Sequence, residues 1–394
     1  MLIGIVGKPS VGKSSFFKAC TLAEVDIANY PFTTIKPNRA VGYVKIDCID
    51  KELGKQCNPR SGFCINGKRF VPVELLDVAG IIEGAHEDKG LGFKFLNDLS
   101  QADILIHVVD ASGSTNEKGD EVIALSHDPC KDIKFLEREL DLWLLGIIKK
   151  GWDKFVRQHV TASIPVQRAI AEQLSGLKVT EDIAEELLKN FNPDLKTWDE
   201  NTLLQLAVEV RKKTKPMIIA ANKVDVPGTE KNIERLREQF PDYLIVPCSA
   251  ASEIALREAS KTGVINYVPG ESNFEIKTEL NEKQKKGLEF VKNNVLDRFK
   301  STGVQNVLDE AVFNLLNYIA IYPGGVNKLT DSQGRTLPDC FLLKKGSTAL
   351  DFAYKLHTDF GKNFIRAINV KTRLTVGKDY LLNHRDVIEI VANR

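Results

Sequence analysis

Residues 7–14 read Gly7-Lys8-Pro9-Ser10-Val11-Gly12-Lys13-Ser14, and Ser15 follows. The apolar run Leu-Ile-Gly-Ile-Val at 2–6 comes directly before them and reads as a buried parallel strand. A G-x-x-x-x-G-K-S loop between a strand and a helix admits few folds. Its backbone N–H groups point inward at a helix N-terminus and cradle anionic oxygens. Glycines at 7 and 12 allow the tight turn and the close approach. Lys13 is placed to reach the β- and γ-phosphates of a nucleoside triphosphate, and the Ser14 hydroxyl to ligate Mg²⁺.

The rest of the chain suits such a loop. Further apolar runs at 71–76, 103–109, 216–221 and 243–247 alternate with helical segments, which predicts an α/β domain with a parallel sheet. The alternation is interrupted at 113–212. There Ile133, Leu136, Leu140, Leu144, Ile147 and Ile148 recur at helical spacing, and 165–175, 181–190 and 200–213 also read as helices. Trp143 and Trp152 share that spacing and are expected in a core rather than on an interface. A charged helix is expected over 280–299 and an apolar-faced helix over 304–319. Tyr322-Pro323-Gly324-Gly325 breaks the pattern and marks a domain boundary.

Composition sets outer limits. The chain has 394 residues, enough for two or three domains, with 43% hydrophobic and 27% charged residues. That balance excludes a wholly disordered chain and fibrous classes. No apolar run approaches the roughly 18 residues of a membrane span, and the first residues are too short and uncharged for a signal peptide. The expected location is cytoplasmic, with no membrane partner.

Companion motifs decide which nucleotide the loop serves. Asp77-Val78-Ala79-Gly80 follows a strand: Asp77 would hold Mg²⁺ through water, and the Gly80 N–H would sense the γ-phosphate. Thr33 and Thr34 lie between the two motifs, in a proline-containing loop. Either could supply a hydroxyl to Mg²⁺; Thr34 is preferred. Asn222-Lys223-Val224-Asp225 follows the strand at 216–221. The Asp225 carboxylate can accept from guanine N1–H and the N2 amine, a donor pair that adenine lacks. Asn222 would tie this loop to the phosphate loop, and the Lys223 stem would cover the base. Ser249-Ala250 follows the next strand, and the Ala250 N–H would bond guanine O6.

With these motifs in order, the sequence resembles the Obg-like GTPases and, within them, the YchF type. The stretch Asn29-Tyr30-Pro31-Phe32-Thr33-Thr34-Ile35-Lys36-Pro37-Asn38 looks like that family's first switch. Asp77 to His86, then Gly90-Leu91-Gly92, looks like its second. Lys345-Gly346-Ser347-Thr348 and Ala353-Tyr354-Lys355-Leu356-His357 resemble the TGS domain, a ubiquitin-like β-grasp module. The resemblance implies a P-loop NTPase G domain of α/β class at 1–112 and 213–320, and a helical insertion at 113–212. It also implies a TGS domain at 321–394. Residues 252–300 form an extra segment that it explains poorly. The chain departs from many YchF-type proteins by keeping Asp225 where a glutamate accompanies ATP preference, which points to GTP. Ser10 stands where relatives often carry an asparagine that helps hold potassium.

The implied activity is Mg²⁺-dependent hydrolysis of GTP to GDP and phosphate. Lys13, Thr34, Gly80 and His86 form the catalytic set, and Ser14, Thr34 and Asp77 the metal set. Gly7 to Ser15, Asn222, Lys223, Asp225, Ser249 and Ala250 form the nucleotide site. Ile81 occupies the place of the glutamine that orients water in Ras-like proteins, so intrinsic turnover should be slow, on the order of 10⁻⁴ s⁻¹. His86 is the nearest candidate to position water, with a solvated loop histidine as the plainer reading; His127 is a weaker one. An ATP-preferring ATPase, or an RNA- or ribosome-binding module with negligible turnover, is the alternative.

Charge points to a partner. The 54 basic and 53 acidic residues leave +1 overall, but 321–394 carries twelve Lys/Arg against seven Asp/Glu. That +5 leaves the other 320 residues at −4. A basic terminal module suggests RNA phosphates or the ribosome, through Lys344, Lys345, Lys362, Arg366, Lys371 and Arg373, with the helical insertion as a second docking surface. Finally, Cys48, Cys57 and Cys64 fall in a turn-rich stretch. Their spacing matches no common zinc pattern and lacks a fourth ligand. Free thiols are expected, with a metal or a Cys57–Cys64 disulfide as alternatives.

Overall fold

The computed structural model describes residues 1–21, 38–78, 99–162 and 164–393. In chain order its strands are β1 Leu2–Val6, β2 Arg39–Asp47, β3 Phe63–Ile65, β4 Lys68–Asp77, β5 Ile104–Asp110, β6 Met217–Asn222 and β7 Leu244–Pro247. They continue with β8 Ile265–Tyr267, β9 Phe274–Ile276, β10 Tyr318–Pro323, β11 Phe341–Lys344, β12 Phe364–Asn369, β13 Leu374–Val376 and β14 Val387–Ala392. Two units divide the chain: Met1–Phe17 with Leu75–Ala251, and Lys18–Glu74 with Ser252–Arg394.

The first unit holds the parallel sheet. β1 pairs with β5 (Ile3 opposite Ile104), β5 with β6 (Asp110 opposite Asn222) and β6 with β7 (Ile218 opposite Leu244). β1, β5 and β6 are buried along their whole length, as strands covered on both faces must be, which is why they read as continuous apolar runs. The end of β4 joins this edge, where Val78 N–H donates to Ile5 O at 3.1 Å. Register therefore brings Val6, Asp77, Asp110 and Asn222 to one end of the sheet.

Helix Cys130–Lys149 buries Ile133, Leu136, Leu140, Leu144 and Ile148 on its inner stripe. It packs against helix Glu200–Thr214, whose Arg211 Nε donates to Asp141 at 2.6 Å. Trp143 and Trp152 are buried as expected, and Trp152 stacks on Trp198 with centroids 5.5 Å apart.

In the second unit, β2 and the β3–β4 hairpin pack Tyr43, Phe63 and Phe70 together; Phe63 and Phe70 stack at 4.5 Å. A five-stranded sheet of order β11-β10-β14-β12-β13 follows, with β10 and β14 parallel at its centre. Helix Ala349–Leu356 lies on it, and Phe352, Ile321, Leu343, Ala367 and Ile388 form the core. First and last strands side by side, with a helix on one face, make a β-grasp module.

The helix expected over 304–319 is shorter. Val304–Asp309 is α-helical, Glu310–Leu315 widens into a π turn, and β10 begins at Tyr318. Asn317 takes a left-handed φ of 54°, which ends the helix. The β-favouring Tyr-Ile-Ala-Ile-Tyr run then extends through Tyr322 and Pro323. Among the described residues no helix is long and apolar enough to cross a membrane.

Candidate nucleotide site

The phosphate loop leaves β1 at Val6 and enters helix Lys13–Thr21, whose first turn closes through Phe16 N–H to Gly12 O at 2.8 Å. Gly12 adopts φ 90°, and a Cβ there would collide with Asn222 Nδ2. A Cβ at Gly7 would come 2.6 Å from Val108 O. Both positions therefore demand glycine for space, and Gly12 also for its backbone. Ser10 holds φ 63°, a conformation uncommon outside glycine. Pro9, Ser10, Ser14 and Ser15 are exposed, so the rim of the loop is open to a ligand.

Two charges that the sequence assigned separately meet here. Lys13 Nζ is ion-paired with Asp77 Oδ1 at the end of β4. Lys8 turns the other way. Its side chain is only 3% exposed, and Nζ donates to Thr115 O at 2.9 Å and lies 2.9 and 2.8 Å from the two Asp132 carboxylate oxygens. Only its backbone is left for a nucleotide. Asp132 also lies 2.8 Å from His127 Nε2, and His127 is buried. His127, the weaker candidate for positioning water, is held in the joint between the phosphate loop and helix Cys130–Lys149.

The base-side loop is stitched to the phosphate loop. Asn222 Nδ2 donates to Val11 O at 2.9 Å, as expected. Its Oδ1 accepts from Ala250 N–H at 3.0 Å. The Ala250 N–H, expected at guanine O6, is thus engaged by Asn222 in this structure, because residue 250 opens helix Ala250–Lys261 directly beside the end of β6. Asp225 Oδ1 accepts from Ser249 Oγ at 2.7 Å, which fixes the carboxylate that would read the base. Lys223 takes φ 66° and sends Nζ to Asp110 Oδ2 at 3.0 Å and Ser114 Oγ at 3.2 Å.

Asp110 is the residue the sequence reading passed over. It is fully buried at the end of β5 and accepts from Ser112 N–H and Oγ, Ser114 Oγ and Thr115 Oγ1 as well as from Lys223. Burial pushes its carboxyl up, but the bonds from Ser112 and Lys223 outweigh this and hold it below the ordinary carboxylate range. The signal was present: an aspartate at a strand end followed by Ser112, Ser114 and Thr115 can close on itself. Thr34, Gly80, Ile81 and His86 lie outside the described residues.

Comparison with known proteins agrees with this geometry. The family model for a 50S ribosome-binding GTPase matches residues 2–137. The G4 motif-containing domain of Obg-like, YGR210-like GTPases matches 220–325, and the TGS domain matches 331–392. An uncharacterized GTP-binding protein of Methanocaldococcus jannaschii is 47% identical over 394 residues, 99% of each chain. The crystal structure of a GTP binding protein from Pyrococcus horikoshii is 42% identical, covers 100% of both chains and superposes with a TM-score of 0.78. The ribosome-binding ATPase YchF of Buchnera aphidicola is 28% identical over 99% of this chain and 98% of its own. Phosphate loop, base-side loop and terminal β-grasp thus occur together and in family order, and the chain belongs to the Obg-like GTPases of the YchF type that carry a C-terminal TGS domain.

Proposed function

We propose that the protein binds GTP and hydrolyses it to GDP and phosphate as a Mg²⁺-dependent switch that acts on the ribosome or its RNA. The observation that carries this reading is Asn222, which bonds the phosphate loop with one end of its amide and the Asp225–Ala250 loops with the other. Asp225, held by Ser249, supplies guanine selectivity. Ala250 N–H reaches O6 once the base displaces the Asn222 contact.

Magnesium suits the donors present. Ser14 is an exposed hydroxyl at the helix N-terminus, and the Asp77 carboxylate is an oxygen donor already facing the phosphate side of the loop. The ion would neutralise phosphate charge. Lys13 releases Asp77 when it moves to the phosphates, so nucleotide entry and freeing of the metal carboxylate are one event. Thr34 completes the metal set, Gly80 senses the γ-phosphate and His86 positions water.

The division of labour follows 1–112 with 213–320 as G domain, 113–212 as helical insertion and 321–394 as TGS domain. Exposed Lys344, Lys345, Lys362, Arg366 and Arg373 support an RNA- or ribosome-facing role for the last. Tyr354 and Phe360, about half exposed at 48% and 46%, offer faces on which bases stack. The YchF relative named a ribosome-binding ATPase supports the ribosome as partner and keeps ATP as the second reading. Calorimetric titration of GTP and ATP into wild type and Asp225→Asn tests it. Wild type should prefer GTP, and the variant should lose that preference while keeping phosphate affinity. Equal binding of both nucleotides by wild type sinks the guanine assignment.

A further inference from the structure

Three cysteines that the nucleotide site does not use converge on one point. Cys48 follows β2, Cys57 lies in the loop beyond it, and Cys64 is the middle residue of β3. Cys48 Sγ and Cys57 Sγ are 3.5 Å apart. The three sulfurs and one Asp50 carboxylate oxygen all lie within 4.8 Å of one another. Cys48, Asp50 and Cys57 are buried and Cys64 is half-buried. Asp50 is the fourth ligand that cysteine spacing failed to provide.

The size of this group is informative. A tetrahedral ion with metal–sulfur bonds of about 2.3 Å holds its sulfurs roughly 3.8 Å apart, against about 2 Å in a disulfide. Separations of this order leave room for one ion at the centre and none for the several irons of a cluster. Asp50 is also pre-oriented: Oδ1 accepts from Lys51 N–H at 2.8 Å and Oδ2 from Cys57 N–H at 3.3 Å. Such outer bonds are typical of ligating carboxylates.

A second observation is independent of the thiols. Arg69 stands opposite Cys64 in the β3–β4 register and is fully buried. Its guanidinium donates to Leu337 O at 3.0 Å and Pro338 O at 2.9 Å, and Nε has no partner among the described residues. Among the described residues no carboxylate is ion-paired with it. A guanidinium stays charged, and a buried cation without a counter-charge is costly. Three thiolates and a carboxylate around a divalent ion carry a net charge of minus two, more counter-charge for Arg69 than the Asp50 carboxylate beside neutral thiols provides.

We propose that Cys48, Asp50, Cys57 and Cys64 bind one zinc ion in a closed structural site. Soft thiolates favour zinc among common divalent ions, and four protein ligands leave no open position for chemistry. The ion pins a loop that grips the terminal module. Asn58 N–H bonds Thr336 O and Arg60 N–H bonds Pro338 O, both at 2.8 Å. Arg60 pairs with Asp339 at 2.7 Å, Glu52 pairs with Lys371 at 3.2 Å, and Glu52 also pairs with Arg385.

The test uses the full chain purified under reducing conditions, with zinc measured by elemental mass spectrometry and cobalt(II) titrated into chelator-treated protein. One zinc per chain and a cobalt–thiolate charge-transfer band are expected. Cys64→Ser and Asp50→Asn should each weaken zinc at least about tenfold, Cys130→Ser should leave it unchanged, and chelation should expose 48–62 to protease. Folded, reduced wild type with no zinc and no cobalt–thiolate band would overturn the proposal. So would a Cys57–Cys64 disulfide, found by mass in place of the metal.

Discussion

Replacing Asp132 by asparagine should destabilise the first unit far more than a surface substitution does. Lys8 Nζ is buried and has three oxygens: two from Asp132, at 2.9 and 2.8 Å, and Thr115 O at 2.9 Å. Asp132→Asn keeps the shape and deletes the counter-charge, leaving a buried ammonium against neutral acceptors. Breaking a buried pair from one side costs about 3–5 kcal/mol. Removing both charges, as in Lys8→Met with Asp132→Leu, costs much less, because no ion is left unpaired; a loss within about 1–2 kcal/mol is expected. All three tryptophans, Trp143, Trp152 and Trp198, lie in the first unit, so fluorescence during urea unfolding reads it selectively. Lys8 is in the phosphate loop, so the single variant should also weaken nucleotide binding. A single-variant loss below about 1 kcal/mol, or a double variant as damaged as the single, would refute the reasoning.

Burial pushes the Asp309 carboxyl up from 3.8 to about 7, though Lys45 N–H and Gln305 Nε2 bond it. The folded chain thus keeps a proton that the unfolded chain releases, so this residue's contribution to stability falls as pH rises from about 4 to 7 and is constant above that. Asp309→Asn should recover up to about 4 kcal/mol at pH 8 and progressively less toward pH 4, from roughly three units at about 1.4 kcal/mol each; a pH-independent gain in denaturant midpoint contradicts this. His86→Ala should slow single-turnover hydrolysis with little change in nucleotide affinity, and an unaltered rate removes His86 from the mechanism. Deleting 321–394 should abolish co-sedimentation with ribosomes at low salt, and undiminished pelleting of the truncated chain counts against the terminal module as the contact.

Strand-borne features were legible in the sequence because they are local. Continuous apolar runs announced β1, β5 and β6, and each motif sits where such a run stops, so sheet register alone gathers Asp77 and Asn222 near Gly12. Pairings between distant segments were not legible. Nothing in Gly7-Lys8-Pro9 says that Lys8 will meet Asp132, 124 residues away. Asp50 was invisible as a ligand, since the cysteine spacing becomes a cluster only once the β3–β4 hairpin folds Cys64 back toward Cys48. The helix over 304–319 was overextended for a local reason. Apolar residues at 307, 308, 311, 312, 315 and 316 keep helical period up to the left-handed Asn317, and the β-rich run after it belongs to a sheet formed with far later strands.

The proposed activity is guanine-specific hydrolysis that answers to the ribosome. Phosphate release from GTP and from ATP, each with and without ribosomes, tests it most directly. Slow GTP hydrolysis that ribosomes accelerate, with ATP turned over poorly in both conditions, is the predicted result. Faster ATP than GTP hydrolysis, or GTP turnover that ribosomes leave unchanged, would contradict it.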